Sequence, residues 1–338
     1  MMNVVMIIPT GIGCEIGGHA GDATPSARLL SSVCDKLILH PNVVNASDIN
    51  EMPENSLYVE GSILDRFLEG KIELQEVKKN KILVVVNKPI LNETINAVSA
   101  ARATLGIDVT MLELKTPLRM TGYFDSVGKA VGDVVGWKAL VEQVSKYEFD
   151  ALAIATLIDV EPEFQTSYFQ SNGKMVNPWG GVEAIASKAI ANELNKPVAH
   201  APIEGTNQEI QRTIFHTLCD PRMAAESISN CYLYCVLKGL HKAPRIGKGL
   251  SVNDVDVMVS PKCWERPHDA CKKAGIPIIV VSENTTVCEY PYGVHYPNII
   301  IWAKNYLEAA GIVAAMEAGI SLDSVRRPLK YTEIEQDG

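Results

Sequence analysis

Two runs in this chain, Ile82-Leu83-Val84-Val85-Val86 and Ile278-Ile279-Val280-Val281, are apolar at every position. A strand with no polar face must be covered on both sides, as a central strand is in a parallel sheet sandwiched between helices. Other short β-branched runs repeat the signal. The strands expected are Asn3–Ile8, Lys36–Leu39, Lys81–Val86, Asp108–Leu112, Ala151–Ala155, Pro197–His200, Asp254–Val259, Ile276–Val281 and Asn298–Ile301. The stretches between them predict helices over Thr24–Cys34, Asn92–Leu105, Gly132–Ser145, Gly181–Leu194, Asn207–Leu218, Pro221–Lys238, Pro267–Ala274 and Trp302–Ala318, with Asn195, Gly275 and Gly319 as stops. This βαβ rhythm sets the expected fold class as α/β, with mostly parallel sheets flanked by helices in Rossmann-like layers.

At 338 residues and 47% apolar content, the chain can fill one large domain or two ordinary ones. The division expected is an α/β unit over 1–158, a second over 159–325 and a charged tail over 326–338, with a single integrated domain as the alternative. Lys242–Asn253 is the linker candidate, and Asp159–Asn177 reads as a long polar lid or binding loop.

Charge excludes some partners. With 31 basic against 40 acidic residues, a net charge of −9 and no basic run, neither nucleic acid nor an anionic membrane is expected as the main partner. The opening apolar run stops at Pro9 and has no basic residue before it, so no signal peptide or membrane span is expected there. The 8 cysteines lack paired CxxC spacing, which argues against a zinc module or a secreted disulfide framework. Thiols in a reducing, cytoplasmic compartment are expected.

Chemistry concentrates between Pro9 and Arg28, where five glycines surround Cys14, Glu15, His19 and Asp22 directly after the first strand. Backbone amides from Thr10, Gly11, Gly13, Gly17 and Gly18 could hold an anion, with His19 as acid or base. Cys14 would be nucleophile or proton carrier, a nearby imidazole and a helix amino end favouring its thiolate, and Asp22 or Glu15 would orient the histidine. A structural turn is the plain alternative. The glycine spacing superficially matches a dinucleotide fingerprint, but the second strand ends at Leu39-His40-Pro41 without an acidic residue for a ribose, which argues against NAD. One histidine and one carboxylate are too few to assign a metal.

Ligands of open parallel sheets lie outside the carboxyl ends of the strands, and polar residues gather at those positions. They include Lys88, Thr156, Asp159, His200, Glu204, Ser260, Lys262, Cys263, Glu283 and Asn284. Asn177-Pro-Trp-Gly180-Gly181-Val-Glu183 opens a helix whose amino end could cradle an anion, or could be an ordinary helix start. Asp220-Pro221-Arg222 reads as a cap followed by a guanidinium able to bind a carboxylate. Cys14 and Cys263 together would suit two-thiol proton transfer.

The segments Ile8–Arg28, His40–Ala46, Asn177–Ala184 and Ile276–Thr286 resemble those of an uncharacterised domain-of-unknown-function family of cyanobacteria and other microbes. The resemblance spans nearly the whole chain, implies one integrated unit and carries over no activity or catalytic residue. The function expected is an enzyme without redox cofactor acting on a small carboxylated or phosphorylated metabolite, by acid–base isomerisation or thiol-mediated hydrolysis. In that reading Lys88, Arg222 and Glu283 complete the pocket. The alternatives are a nucleotide or phosphosugar transferase, and a metabolite-binding regulator that forms a homo-oligomer through the Trp302–Ala318 helix.

Overall fold

Three strands and three helices open the chain: β1 (Asn3–Met6), α1 (Thr24–Ser31), β2 (Lys36–Leu39), α2 (Pro41–Val44), β3 (Ser56–Tyr58) and α3 (Gly61–Leu68). The computed structural model describes residues 2–19, 21–44, 52–202, 218–228, 232–288, 298–332 and 334. After α3 the chain leaves its first sheet through β4 (Leu74–Gln75) to build a second. That section comprises β5 (Lys81–Val86), α4 (Asn92–Leu105), β6 (Asp108–Glu113), β7 (Arg119–Phe124), β8 (Ala130–Val135), α5 (Trp137–Val144), β9 (Ala151–Thr156), β10 (Ile158–Val160), α6 (Pro162–Gln170), α7 (Gly180–Leu194) and β11 (Val198–Pro202). The return path runs through the helix Tyr232–His241 and β12 (Arg245–Ile246) to β13 (Val257–Pro261), β14 (Ile278–Val281) and β15 (Ile300–Ala303).

The first sheet is parallel throughout, in the order β15-β14-β13-β1-β2-β3. From β1 the chain order proceeds outward to β3 on one side, and from β13 outward to β15 on the other. The order therefore reverses between β1 and β13, and a crevice opens at such a switch point because the two connecting loops turn away from each other. The second sheet, β11-β9-β5-β6, is also parallel. An antiparallel hairpin, β7 with β8, is extended by β10, and β4 pairs with β12. The architecture is α/β with mostly parallel sheets between helices.

All nine expected strands appear in the two parallel sheets. The both-face-apolar runs become β5 and β14, each covered on two sides. Val84 and Val86 face one core and Leu83 and Val85 another. One core also joins the sheets, since Val4, Met6, Val257 and Val259 of the first share a cluster with Val84, Ala153 and Ala201 of the second. The sheets do not divide at residue 158: the first draws strands from both ends of the chain and the second from the middle.

Several local expectations are corrected. Gly132–Ser145 begins as strand, with α5 only from Trp137, because Asp125 turns the chain by accepting the Val127 and Lys129 amides at 3.0 and 2.9 Å and so closes the β7–β8 hairpin. The segment Asp159–Asn177 is no open loop: α6 runs through it and buries Tyr168 and Phe169. Trp302 belongs to β15, and the following helix, Tyr306–Glu317, starts where Asn305 caps the Glu308 amide at 3.0 Å. The expected helix over 207–218 falls, except for Leu218, outside the described residues, as does Glu204. Among the described residues no helix is long and apolar enough to cross a membrane.

Candidate functional site at the switch-point crevice

The glycine-rich loop after β1 is zipped to a distant segment. Glu15 N–H donates to Thr285 O at 2.8 Å, Val287 N–H to Gly13 O at 2.7 Å and Cys288 N–H to Ile12 O at 3.1 Å. Asn284, fully buried, accepts from Ile16 N–H and donates to Ile16 O, both at 2.9 Å, and reaches Tyr306 Oη at 2.8 Å. It is a clamp. Gly11, Gly13 and Gly17 take positive φ, and a Cβ on Gly18 would fall 2.0 Å from Cys14 O. The glycines thus serve close packing, Gly18 against Cys14 O within the loop, Gly17 against Ile8, Gly11 against Ala130 O and Gly13 against Val287 of the far segment. α1 begins only at Thr24, well past the glycines, and His40-Pro41 follows β2.

Inside the loop Cys14 is buried. Burial, reinforced by Cys263, Asp22, Cys288 and Glu265, raises its thiol well above the ordinary range. A nucleophilic cysteine needs the opposite shift. Cys263 lies close enough to add to the effect and is itself raised by burial.

His19 does not turn to Cys14. Its Nδ1 lies 2.6 Å from Tyr168 Oη, which donates to Glu226 Oε2 at 2.8 Å. Because the phenol's one proton goes to Glu226, the imidazole donates from Nδ1 and keeps its lone pair on Nε2. Burial, with Arg222 nearby, lowers its pKa to about 4, so the ring is neutral. Asp22 accepts the His19 backbone amide at 3.3 Å and does not orient the ring, while burial raises its pKa to about 7. Arg222 is anchored to Glu15 Oε2 at 2.7 Å and Asp220 Oδ1 at 2.9 Å.

The crevice lies on the other side of this loop, where a cavity of about 450 Å³ opens at the carboxyl edge of the first sheet. That volume suits a small metabolite. Thr10, His40, Tyr58 and Glu60 line it from the ends of β1 to β3. Lys129 reaches it from the hairpin, and Gly180, Gly181 and Glu183 from the start of α7. The helix sits close because residue 181 is glycine: a Cβ there would lie 1.9 Å from Ala130 O. Neither Cys14 nor His19 lines this cavity.

Glu183 stands on a supported line of polar groups. Its Oε1 is 3.1 Å from His200 Nδ1, and His200 Nε2 is 3.0 Å from Thr156 Oγ1 and 3.1 Å from Thr156 O. The His200 side chain is 0% exposed and that of Glu183 25%, so of the pair the carboxylate is the more open to the cavity. The amino end of α7 is partly satisfied already, because Asn177 Oδ1 accepts from Trp179 N–H and Gly180 N–H at 2.9 and 3.0 Å. Asn177 Nδ2 in turn donates to Glu226 at 3.0 Å, tying the His19 relay to the crevice wall.

Glu60 caps α3, accepting from Ser62 N–H at 2.9 Å, Ile63 N–H at 3.3 Å and Ser62 Oγ–H at 2.7 Å, while burial raises its pKa. His40 accepts the Asn42 amide on Nδ1 at 3.2 Å, and burial lowers its pKa to about 4. It is a neutral ring with its proton on Nε2.

Thr10, Gly180, Gly181 and Glu183 are thus the sequence candidates that share the crevice. Lys88 pairs with Glu113 at 2.8 Å on the exposed edge of the second sheet, and Glu283 is exposed. The sequence reading missed His40, Tyr58, Glu60 and Lys129, and it noted His200 and Thr156 only as strand-end residues. His40 and Glu60 carried a usable signal, since each follows a strand and precedes a helix. Among the described residues no three side chains gather as metal ligands.

Residues 3–326 match the model of a family described as a protein of unknown function, DUF3326. The chain is 35% identical over 336 residues to an uncharacterized lipoprotein of Synechococcus sp., an alignment covering 94% of this chain and 91% of that one. No solved structure matches it. With both the family match and that relative extending over nearly its whole length, the chain belongs to the DUF3326 family.

Proposed function

We propose that this protein is an enzyme that binds a small carboxylated or phosphorylated metabolite in the switch-point crevice and acts on it by acid–base chemistry, with Glu183 moving the proton. The observation that carries this reading is the line Glu183–His200–Thr156, which ends in a partly exposed carboxylate at the wall of a metabolite-sized cavity. A proton-transfer group must be held in one position, and His200 does that for Glu183 from behind. Thiol-mediated hydrolysis has less support, since burial disfavours the Cys14 thiolate.

Screening carboxylated and phosphorylated metabolites for a raised unfolding temperature, then following each binder by mass spectrometry, tests the proposal. The expected result is conversion of a binder, slowed about 100-fold or more by Glu183→Gln while binding persists. A binder that stays chemically unchanged in prolonged incubation would favour a metabolite-binding regulator instead.

A second reading has its own observation. Neutral His19 is held at Nδ1 by the Tyr168–Glu226 pair, an arrangement that orients a general base. Loss of turnover in His19→Asn but not in Glu183→Gln would move the chemistry there.

A further inference from the structure

We propose that the crevice transfers a proton on the carbon next to a carbonyl, in an α-hydroxycarbonyl substrate that is neutral or carries a single carboxylate. Glu183 is the base, and His40 and Tyr58 hold the carbonyl oxygen. The inference rests on the reading of Glu183 given above and adds the reaction class and the substrate.

Two donors in the crevice have no partner among the described residues. One is Tyr58 Oη: the side chain is only 2% exposed, its ring pressed by the helix Tyr232–His241 at Gly239, yet no hydrogen bond satisfies the hydroxyl. The other is His40 Nε2–H, whose tautomer is fixed by the Asn42 amide on Nδ1. A Cβ on Gly61 would lie 3.0 Å from this nitrogen, so the glycine leaves it uncovered. Neither atom is sealed off from the cavity, and a ligand oxygen between these two would satisfy both.

The cations of the crevice are already engaged. Lys129 pairs with Glu265 at 3.2 Å, Lys188 with Asp65 at 3.4 Å, and Arg266 with Glu69 at 2.6 Å and Asp65 at 3.5 Å. A doubly charged phosphate ester would meet no unpaired cation among the described lining residues. A carbonyl oxygen instead meets two donors, and a neighbouring hydroxyl can donate to Glu183.

The step needs no other reactant. Glu183 takes the proton from the carbon bearing the hydroxyl, the C–H pair becomes a carbon–carbon double bond, and the carbonyl π pair moves onto oxygen. His40 Nε2–H and Tyr58 Oη–H stabilise that oxygen by hydrogen bonds; a neutral imidazole serves here because it donates without surrendering its proton. Returning the proton from Glu183 to the former carbonyl carbon, with the hydroxyl proton passing to the enolate oxygen, exchanges the positions of the carbonyl and the hydroxyl. No electrons leave the substrate.

The test is proton NMR of the full chain in deuterium oxide near neutral pD with three probes: dihydroxyacetone, hydroxypyruvate and dihydroxyacetone phosphate. Expected is deuterium uptake next to the carbonyl of one or both of the first two, at least 10-fold above buffer and above the phosphate probe. Glu183→Gln should lower it at least 10-fold. Tyr58→Phe should lower it several-fold with an unchanged unfolding temperature, because the lost hydroxyl has no partner among the described residues. Probes that raise the unfolding temperature without exchanging overturn this proposal and leave the crevice reading standing. Exchange confined to the phosphate probe, or unaltered in both variants, also overturns it. Neither protection nor exchange by any probe overturns both.

Discussion

His19 and Tyr168, 149 positions apart in sequence, meet at 2.6 Å between Nδ1 and Oη inside the fold. This bond fixes which imidazole nitrogen carries the proton and links the first loop to α6, a helix of the middle section. Tyr168→Phe removes the acceptor for His19 and a donor to Glu226, leaving buried polar atoms unsatisfied. A loss of about 1–3 kcal/mol is expected in denaturant-induced unfolding.

The buried groups of this loop pull the pH profile in opposite directions. His19 drops from 6.5 to about 4 on folding, so between those values the unfolded chain holds the extra proton. Its contribution is present above pH 6.5 and lost as pH falls toward 4. Asp22 rises from 3.8 to about 7, so its contribution is greatest below 3.8 and is lost as pH rises through 7. Asp22→Asn removes the second dependence. The stability of Asp22→Asn relative to wild type should therefore climb from pH 4 to pH 7; chemical denaturation at a series of pH values measures it, and a flat difference would contradict the burial of this carboxylate.

Cys14 should be a poor nucleophile in the native protein. At pH 8, alkylation by iodoacetamide, followed by peptide mass spectrometry, should modify it at least about 100-fold more slowly than in the unfolded chain, since both exposure and thiolate fraction are low. Rapid native labelling would restore the thiol mechanism to contention.

Two glycine substitutions should act with opposite sign. Gly181→Ala drives a methyl into Ala130 O and forces α7 away from β8, destabilising the protein by about 1–3 kcal/mol. Gly311 lies within the helix Tyr306–Glu317, and a methyl group added at its Cα would meet nothing within 4 Å. Gly311→Ala should stabilise by about 0.5–1 kcal/mol through helix propensity alone. Thermal melts of the pair measure the crowding at the crevice wall against a neutral reference.

Much of the fold was legible because parallel strands buried on both faces leave an unbroken apolar signature, as at Lys81–Val86. The hairpin was not, because Val131, Val134, Val135 and Val141 are spaced as they would be along one face of a helix and only the Asp125–Gly128 turn betrays the strands. β3, three residues long, offers no periodicity at all. At the site, the strand-end rule pointed to the edge where the cavity opens, and Glu183 and Thr10 were among the candidates that line it. What the loop's glycines are for could not be read locally, since the segment they pack against comes from the far end of the chain: Ile16 and Asn284 are separated by 268 positions. Tyr58 looks like an ordinary core residue until the middle section brings Glu183 to the same cavity, whereas His40 stood in view at the end of the expected strand Lys36–Leu39.

The interleaving of the sheets has a consequence for synthesis. Asn3 waits for Asp256, 253 positions downstream, before the inner edge of β1 gains its neighbour. A nascent chain therefore exposes an unpaired, apolar ribbon for most of its translation, while the middle section has every strand it needs to close first. Such distant pairing slows folding and lengthens exposure to aggregation. Glu265, Arg266 and Pro267 join the crevice wall only when the final quarter of the polypeptide docks, so a prematurely terminated product would keep a sticky edge and an unfinished wall together.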